Sequence, residues 1–110
     1  MKIIEMVRDL SVDTADESDK DISVQEIFNG PFRRIVEVRL RNKAVLKRHK
    51  ADVPITVQCL SGAGSFFAGS DLEESVAFHA GILITLEAGI EHEVKADPQL
   101  HILVSKFKDS

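Results

Sequence analysis

Residues 81–94, GILITLEAGIEHEV, run from an apolar strand through a tight turn at Ala88-Gly89 into a second strand that bears His92 between Glu91 and Glu93. A glycine at 89 lets the backbone reverse sharply, and the strand that follows projects a single imidazole. Strand alternation turns the Glu91 and Glu93 carboxylates away from the side of His92, so neither is its partner. The fold and the function both turn on where that imidazole points.

The same pattern repeats on either side. ISVQEIF meets the turn Asn29-Gly30-Pro31 and returns as FRRIVEVRL, a hairpin. AVLKRH, ITVQCL, SFFAG, SVAFH, ILITL, IEHEV and HILVSKF follow, with turn signals at SGAG, GSD and ADPQ. With KIIEMV as an edge strand this predicts roughly nine or ten strands, and no segment sustains a helical period. Short strands at close, regular spacing predict an all-β antiparallel sandwich or barrel.

A chain of 110 residues makes one domain with one core, and without Trp or Tyr that core is aliphatic with six Phe. Residues 1–21 are expected to form an N-terminal strand and an acidic flexible loop, and residues 22–110 the barrel. The longest apolar run, Ala80–Leu86, is too short to cross a bilayer, and charges at Lys2, Glu5, Arg8 and Asp9 do not fit a signal peptide. A lone cysteine, Cys59, forms no internal disulfide and suits a reducing compartment. A cytoplasmic protein without a membrane partner is expected.

The net charge of −4 is concentrated in DTADESDKD, residues 13–21, leaving the remainder balanced. Arg33–Lys50 is basic, with eight Lys or Arg against Glu37 alone. A basic stripe can mark nucleic-acid contact. Here Val36, Val38 and Leu40 alternate with Glu37, Arg39 and Arg41, which describes one apolar and one solvated strand face, and no aromatic residue interleaves to stack a base. No nucleic-acid partner is expected.

From about Val24 to Phe107 the order and spacing resemble the small single-domain cupins, jelly-roll barrels also described as double-stranded β-helices. Two motifs carry the resemblance. In the second, G-x5-P-x-G-x2-H-x3-N, Gly81, Gly89 and His92 stand at the matching positions, with Glu87 for the proline and Ala96 for the asparagine. In the first, G-x5-H-x-H-x(3,4)-E-x6-G, Gly62 and His49 match, while Lys43, Ala51 and Ile55 replace the leading glycine, the second histidine and the glutamate. The resemblance implies a cupin barrel in which His49 and His92 point inward. It also implies a divalent metal, Zn, Fe, Mn or Ni, for which only two of four ligand positions survive. Two imidazoles alone make a weak site, because first-row metals usually take three or four protein donors. Cupins of this size resemble homodimers in which the N-terminal strand joins the partner's sheet, and KIIEMV fits that exchange.

Other side chains near the site follow from alternation. Ile55 marks the inward face of ITVQCL, so Val57 and Cys59 follow it inward while Thr56, Gln58 and Leu60 face away. Cys59 can offer a soft thiolate, although a free cysteine is more often a small buried hydrophobe. Gln58 reaches the pocket only if a bulge shifts the register, and then as a hydrogen-bonding group. In LHILVSKF, Leu100, Ile102 and Val104 face the core, which sends His101 to the opposite surface. His79 is expected to be exposed. SGAGSFFAG lacks the helix and the Lys-Ser/Thr of a phosphate loop, and no serine has a recognisable base. The expected function is small-molecule binding in a pocket lined by His49, His92, Val57, Cys59 and Gln58, with a weak or absent metal. The alternative is a metal-dependent cupin enzyme, of isomerase or dioxygenase type, working through His49 and His92.

Overall fold

The computed structural model describes residues 3–10 and 20–108. They form an all-β jelly roll of seven strands: β1 Ile22–Asn29, β2 Arg33–Leu40, β3 Val45–His49, β4 Ile55–Ala68, β5 Glu74–His79, β6 Leu83–Leu86 and β7 His92–Phe107. Every pairing is antiparallel. The described residues contain no helix long and apolar enough to cross a membrane.

Two strands run through both halves of the molecule. The C-terminal part of β7 pairs with β2 on one edge and with the start of β4 on the other, and β1 and β6 complete that sheet. The N-terminal part of β7 pairs with β3 and with the end of β4, which also pairs with β5. Inward residues from the two halves meet in one core: Val36, Val38, Leu40, Ile55, Val57, Cys59, Leu100 and Ile102 from the first, Phe66, Phe78, Val94 and Ala96 from the second.

The count of seven corrects the expected nine or ten, because SGAG and ADPQ are not turns between strands. Both lie inside the continuous strands β4 and β7. The ladder passes through them with register shifts between Cys59 and Ser61 and between Gly62 and Gly64. Such bulges bend a strand without ending it. The glycines serve close approach instead. A Cβ on Gly62 would lie 2.1 Å from the Gln99 carbonyl oxygen, and one on Gly64 would lie 2.1 Å from that of Lys95. Gly62 also has φ +93°, which side chains rarely adopt.

Residues 3–10 form no strand within this chain, where the sequence led to an edge strand or one exchanged with a partner. Ile3, Ile4, Met6 and Val7 are exposed. The acidic loop expected at Asp13–Asp21 lies, apart from Lys20 and Asp21, outside the described residues. Arg8 and Leu10 lie on the outer face of β2 and β7, and this contact buries a residue expected to be solvated. Glu37 is only 4% exposed. Its Oε2 accepts hydrogen bonds from Arg8 and from His101 Nε2 at 2.6 Å, with Arg39 Nη2 3.7 Å away. His101 is on the outer face, as alternation requires, yet it is buried by this cluster.

Burial by itself would raise the Glu37 carboxyl. The hydrogen bonds from Arg8 and His101 and their positive charges outweigh it and hold Glu37 below the ordinary carboxylate range. A depressed acid stabilises the folded state above its ordinary value of 4.5 and loses that contribution as the pH falls through the folded-state value. Glu37→Gln should cost about 3 kcal/mol at pH 7, the usual result of breaking a buried pair, and should flatten the loss of stability in acid below pH 4.5, as read by urea unfolding across pH. Gly62→Ala and Gly64→Ala should each lower Tm by roughly 10 °C or more. Gly81→Ala, whose Cβ would meet nothing within 4 Å, should lose only the φ penalty of about 1–2 kcal/mol. Equal losses at all three glycines by circular-dichroism melting would remove the close-approach explanation.

Candidate functional site

Alternation along β3 would carry Leu46 inward, then Arg48, and leave His49 outside. The ladder prevents this. Leu46 pairs with Val94 and His49 with His92, so β3 advances by three residues while β7 advances by two. This bulge inserts one residue and brings His49 to the same side as His92. The amide it frees, that of Arg48, donates to Glu93 Oε1 at 3.2 Å, and the Arg48 guanidinium lies 3.8 Å from Glu91 Oε2. The two glutamates flanking His92 face away from it, and between them they engage the bulge.

The two imidazoles are therefore neighbours on adjacent strands. Their ring centroids are 4.1 Å apart with planes at 62°. His92 is 4% exposed and its ring is parallel to Phe66 at 5.8 Å, while His49 is exposed at the mouth. His92 Nδ1 donates to the Ile90 carbonyl at 3.0 Å, and His49 Nδ1 donates to that of Lys47 at 2.8 Å. A carbonyl can only accept, so each neutral ring carries its proton on Nδ1 and presents a lone pair at Nε2. Burial pushes His92 below the ordinary imidazole value, and the charges of His49 and Lys106 act in the same direction, against the hydrogen bond to Ile90. His92 is a neutral base at pH 7.

Both rings open onto a cavity of about 180 Å³. Its wall is aliphatic and aromatic, with Val36, Val38, Leu46, Val57, Phe66 and Ile102 among the lining, and Lys50 and Lys106 are its charged members. Ala51 and Ile55, the positions where the resemblance implies a second histidine and a glutamate, are also in the wall. The hydrogen bond from the Gly89 amide to the Ala51 carbonyl, 2.8 Å, ties the turn before His92 to the segment after His49.

The remaining expected residues separate. Val57 lines the cavity. Cys59 is inward but lies beyond the lining, its thiol raised by burial and donating to the Ser61 carbonyl at 3.4 Å, so it offers no thiolate. Gln58 is exposed and outside the lining, because the register shift in β4 falls after Cys59. His79 is exposed. Lys106 was missed by the sequence reasoning. The signal was available, since the inward series Leu100, Ile102, Val104 reaches it after two more residues. A larger hollow of about 340 Å³ lies outside the barrel between Leu10 and β2–β7, beside the Glu37 cluster; there Arg41 donates to the Lys20 carbonyl at 3.4 Å.

The donor set does not fit a divalent metal. His49 and His92 supply two nitrogens, Ala51 and Ile55 supply hydrocarbon, and the charged neighbours are Lys50 and Lys106. Among the described residues no cluster of three His, Cys, Asp or Glu is placed to hold one.

No protein-family profile matches the chain. No curated protein matches it in sequence. Solved structures do match. A cupin superfamily protein from Desulfitobacterium hafniense DCB-2 superposes with a TM-score of 0.79 at 10% identity, over 98% of this chain and 97% of that one. An RmlC-like cupin from Desulfovibrio desulfuricans gives 0.78 at 16% identity, over 92% and 95%. A DMSP lyase from Ruegeria pomeroyi DSS-3 gives 0.74 at 12% identity, over 81% of this chain and 48% of that one. The strand order, the two bent strands shared between halves and these superpositions agree: the chain has the cupin double-stranded β-helix fold.

Proposed function

We propose that this chain is a small-molecule-binding cupin that holds an organic ligand with its own side chains rather than through a metal. The observation that supports the reading is the composition of the cavity wall. Two adjacent imidazoles present Nε2 into an apolar cavity whose other two ligand positions are Ala51 and Ile55. A concave, mostly apolar site with a few convergent polar groups is the usual form of a small-molecule pocket. At about 180 Å³ this one suits a ligand smaller than a typical drug.

A second reading, a cupin enzyme, is favoured by the His92 ring, a buried neutral base with its Nε2 free to take a proton. The DMSP lyase with the same fold illustrates that such barrels can host catalysis. The metal-dependent form of this reading would need donors that the wall does not supply.

Elemental analysis of protein purified without chelator and without nickel affinity separates the readings. Metal-free binding predicts substoichiometric Fe, Mn, Zn and Ni in wild type, with no further change in His49→Ala or His92→Ala. One equivalent of metal per chain, lost in both variants, would overturn it in favour of the enzyme.

A further inference from the structure

The inner face of β7 does not end at Val104. Two residues on, Lys106 lies half-buried in the cavity wall, directly opposite Ile55 in the β4–β7 ladder. Its charge acts on His92. Lys50 stands at the rim. Among the described residues neither lysine forms an ion pair, and no Asp or Glu lines the cavity. Drawing an ammonium partly out of water without a counter-charge costs free energy. Packing offers no compensation that a methionine of similar length would not supply. A ligand anion would.

The shape of the cavity narrows the class. About 180 Å³ corresponds to about six waters at roughly 30 Å³ each. Apart from the two lysines and the paired imidazoles the wall is hydrocarbon, so a polar body such as a sugar would leave most of its hydroxyls unpaired. We infer, on the reading that the barrel binds an organic molecule, that its ligand is a small aliphatic monocarboxylate. Its carboxylate is held by Lys106 beside the paired imidazoles, and its chain lies along Val36, Val57, Phe66 and Ile102. The lysine takes the place that a metal would fill as the positive charge of the site.

Calorimetric titration of the full chain with hexanoate, hexanamide and hexylammonium tests this, with methyl NMR of Val57 and Val104 reporting occupancy of the barrel. Hexanoate should bind at least about tenfold more tightly than hexanamide, since a charge-assisted contact is lost in the amide. Hexylammonium should bind weakest. Lys106→Met should weaken hexanoate far more than hexanamide and so abolish the preference, and Lys106→Arg should restore part of it. Equal binding of hexanoate and hexanamide, or preference for the amine, would overturn the carboxylate assignment while leaving a metal-free binding barrel intact. Binding of none of the three, with no shift at either methyl, would overturn the assignment too, and the elemental analysis would then decide whether the binding reading falls with it. The comparison of ligands on wild type needs no variant, so a folding defect in Lys106→Met leaves the test decisive.

Discussion

The antiparallel ladder between β4 and β7 is the contact on which the rest of the molecule depends. Each strand passes from one half of the jelly roll to the other, so their pairing joins the halves, and every other strand except β1, which pairs with β2, is laid directly on one of the two. Near the bend the two backbones come so close that Gly62 and Gly64 have no room for a Cβ. The core follows from that closeness. Val36, Val38 and Ile102 on one side and Phe66, Phe78 and Val94 on the other share one interior because β4 and β7 carry inward faces into both halves.

The site hangs on a second, smaller irregularity. One extra residue in β3 rotates His49 into register with His92, and a bulge is stable only if its unpaired backbone group finds a partner. Glu93 supplies that partner at the Arg48 amide, and Glu91 lies beside the same residue's side chain. Glu93 thus acts on His49 through the backbone across the strand pair. Glu93 is a positioning residue, and the chemistry of the cavity remains that of imidazole and ammonium.

Alternation made much of this legible. Ile55, Val57 and Cys59 face inward and Gln58 outward as the two-residue period requires, and the spacing of Gly81, Gly89 and His92 pointed to the fold. What was not legible depended on the partner strand. SGAG and ADPQ read as turns because glycine, proline and aspartate break isolated strands, yet here glycines permit two backbones to touch. Glu37 read as solvated because its own strand gives no sign that Arg8, far away in sequence, will cover it. The β3 bulge carries no residue signature, so only the resemblance, and not periodicity, could bring His49 inward. Lys106 was legible but passed over, since the apolar series before it reads as complete at Val104.

Two clusters of charge lie on opposite faces of the β2–β7 pair. On the outer face the Glu37 carboxylate is surrounded by Arg8, Arg39 and His101, and the buried charge has its counter-charges at hand. The inner face has the imidazoles and Lys106 and no acid. The buried Glu37 carboxylate of β2 is therefore paired on the outer face, whereas the half-buried Lys106 ammonium of β7 has no acid beside it at the cavity. An ammonium sharing that wall with a dication would cost on the order of a few kcal/mol at an effective dielectric of about 20, which amounts to orders of magnitude in metal affinity. The same ammonium attracts a carboxylate by a comparable amount. On the proposed reading, Ile55 at the position where the resemblance implies a carboxylate, with Lys106 opposite it, suits the barrel to an anion rather than to a cation.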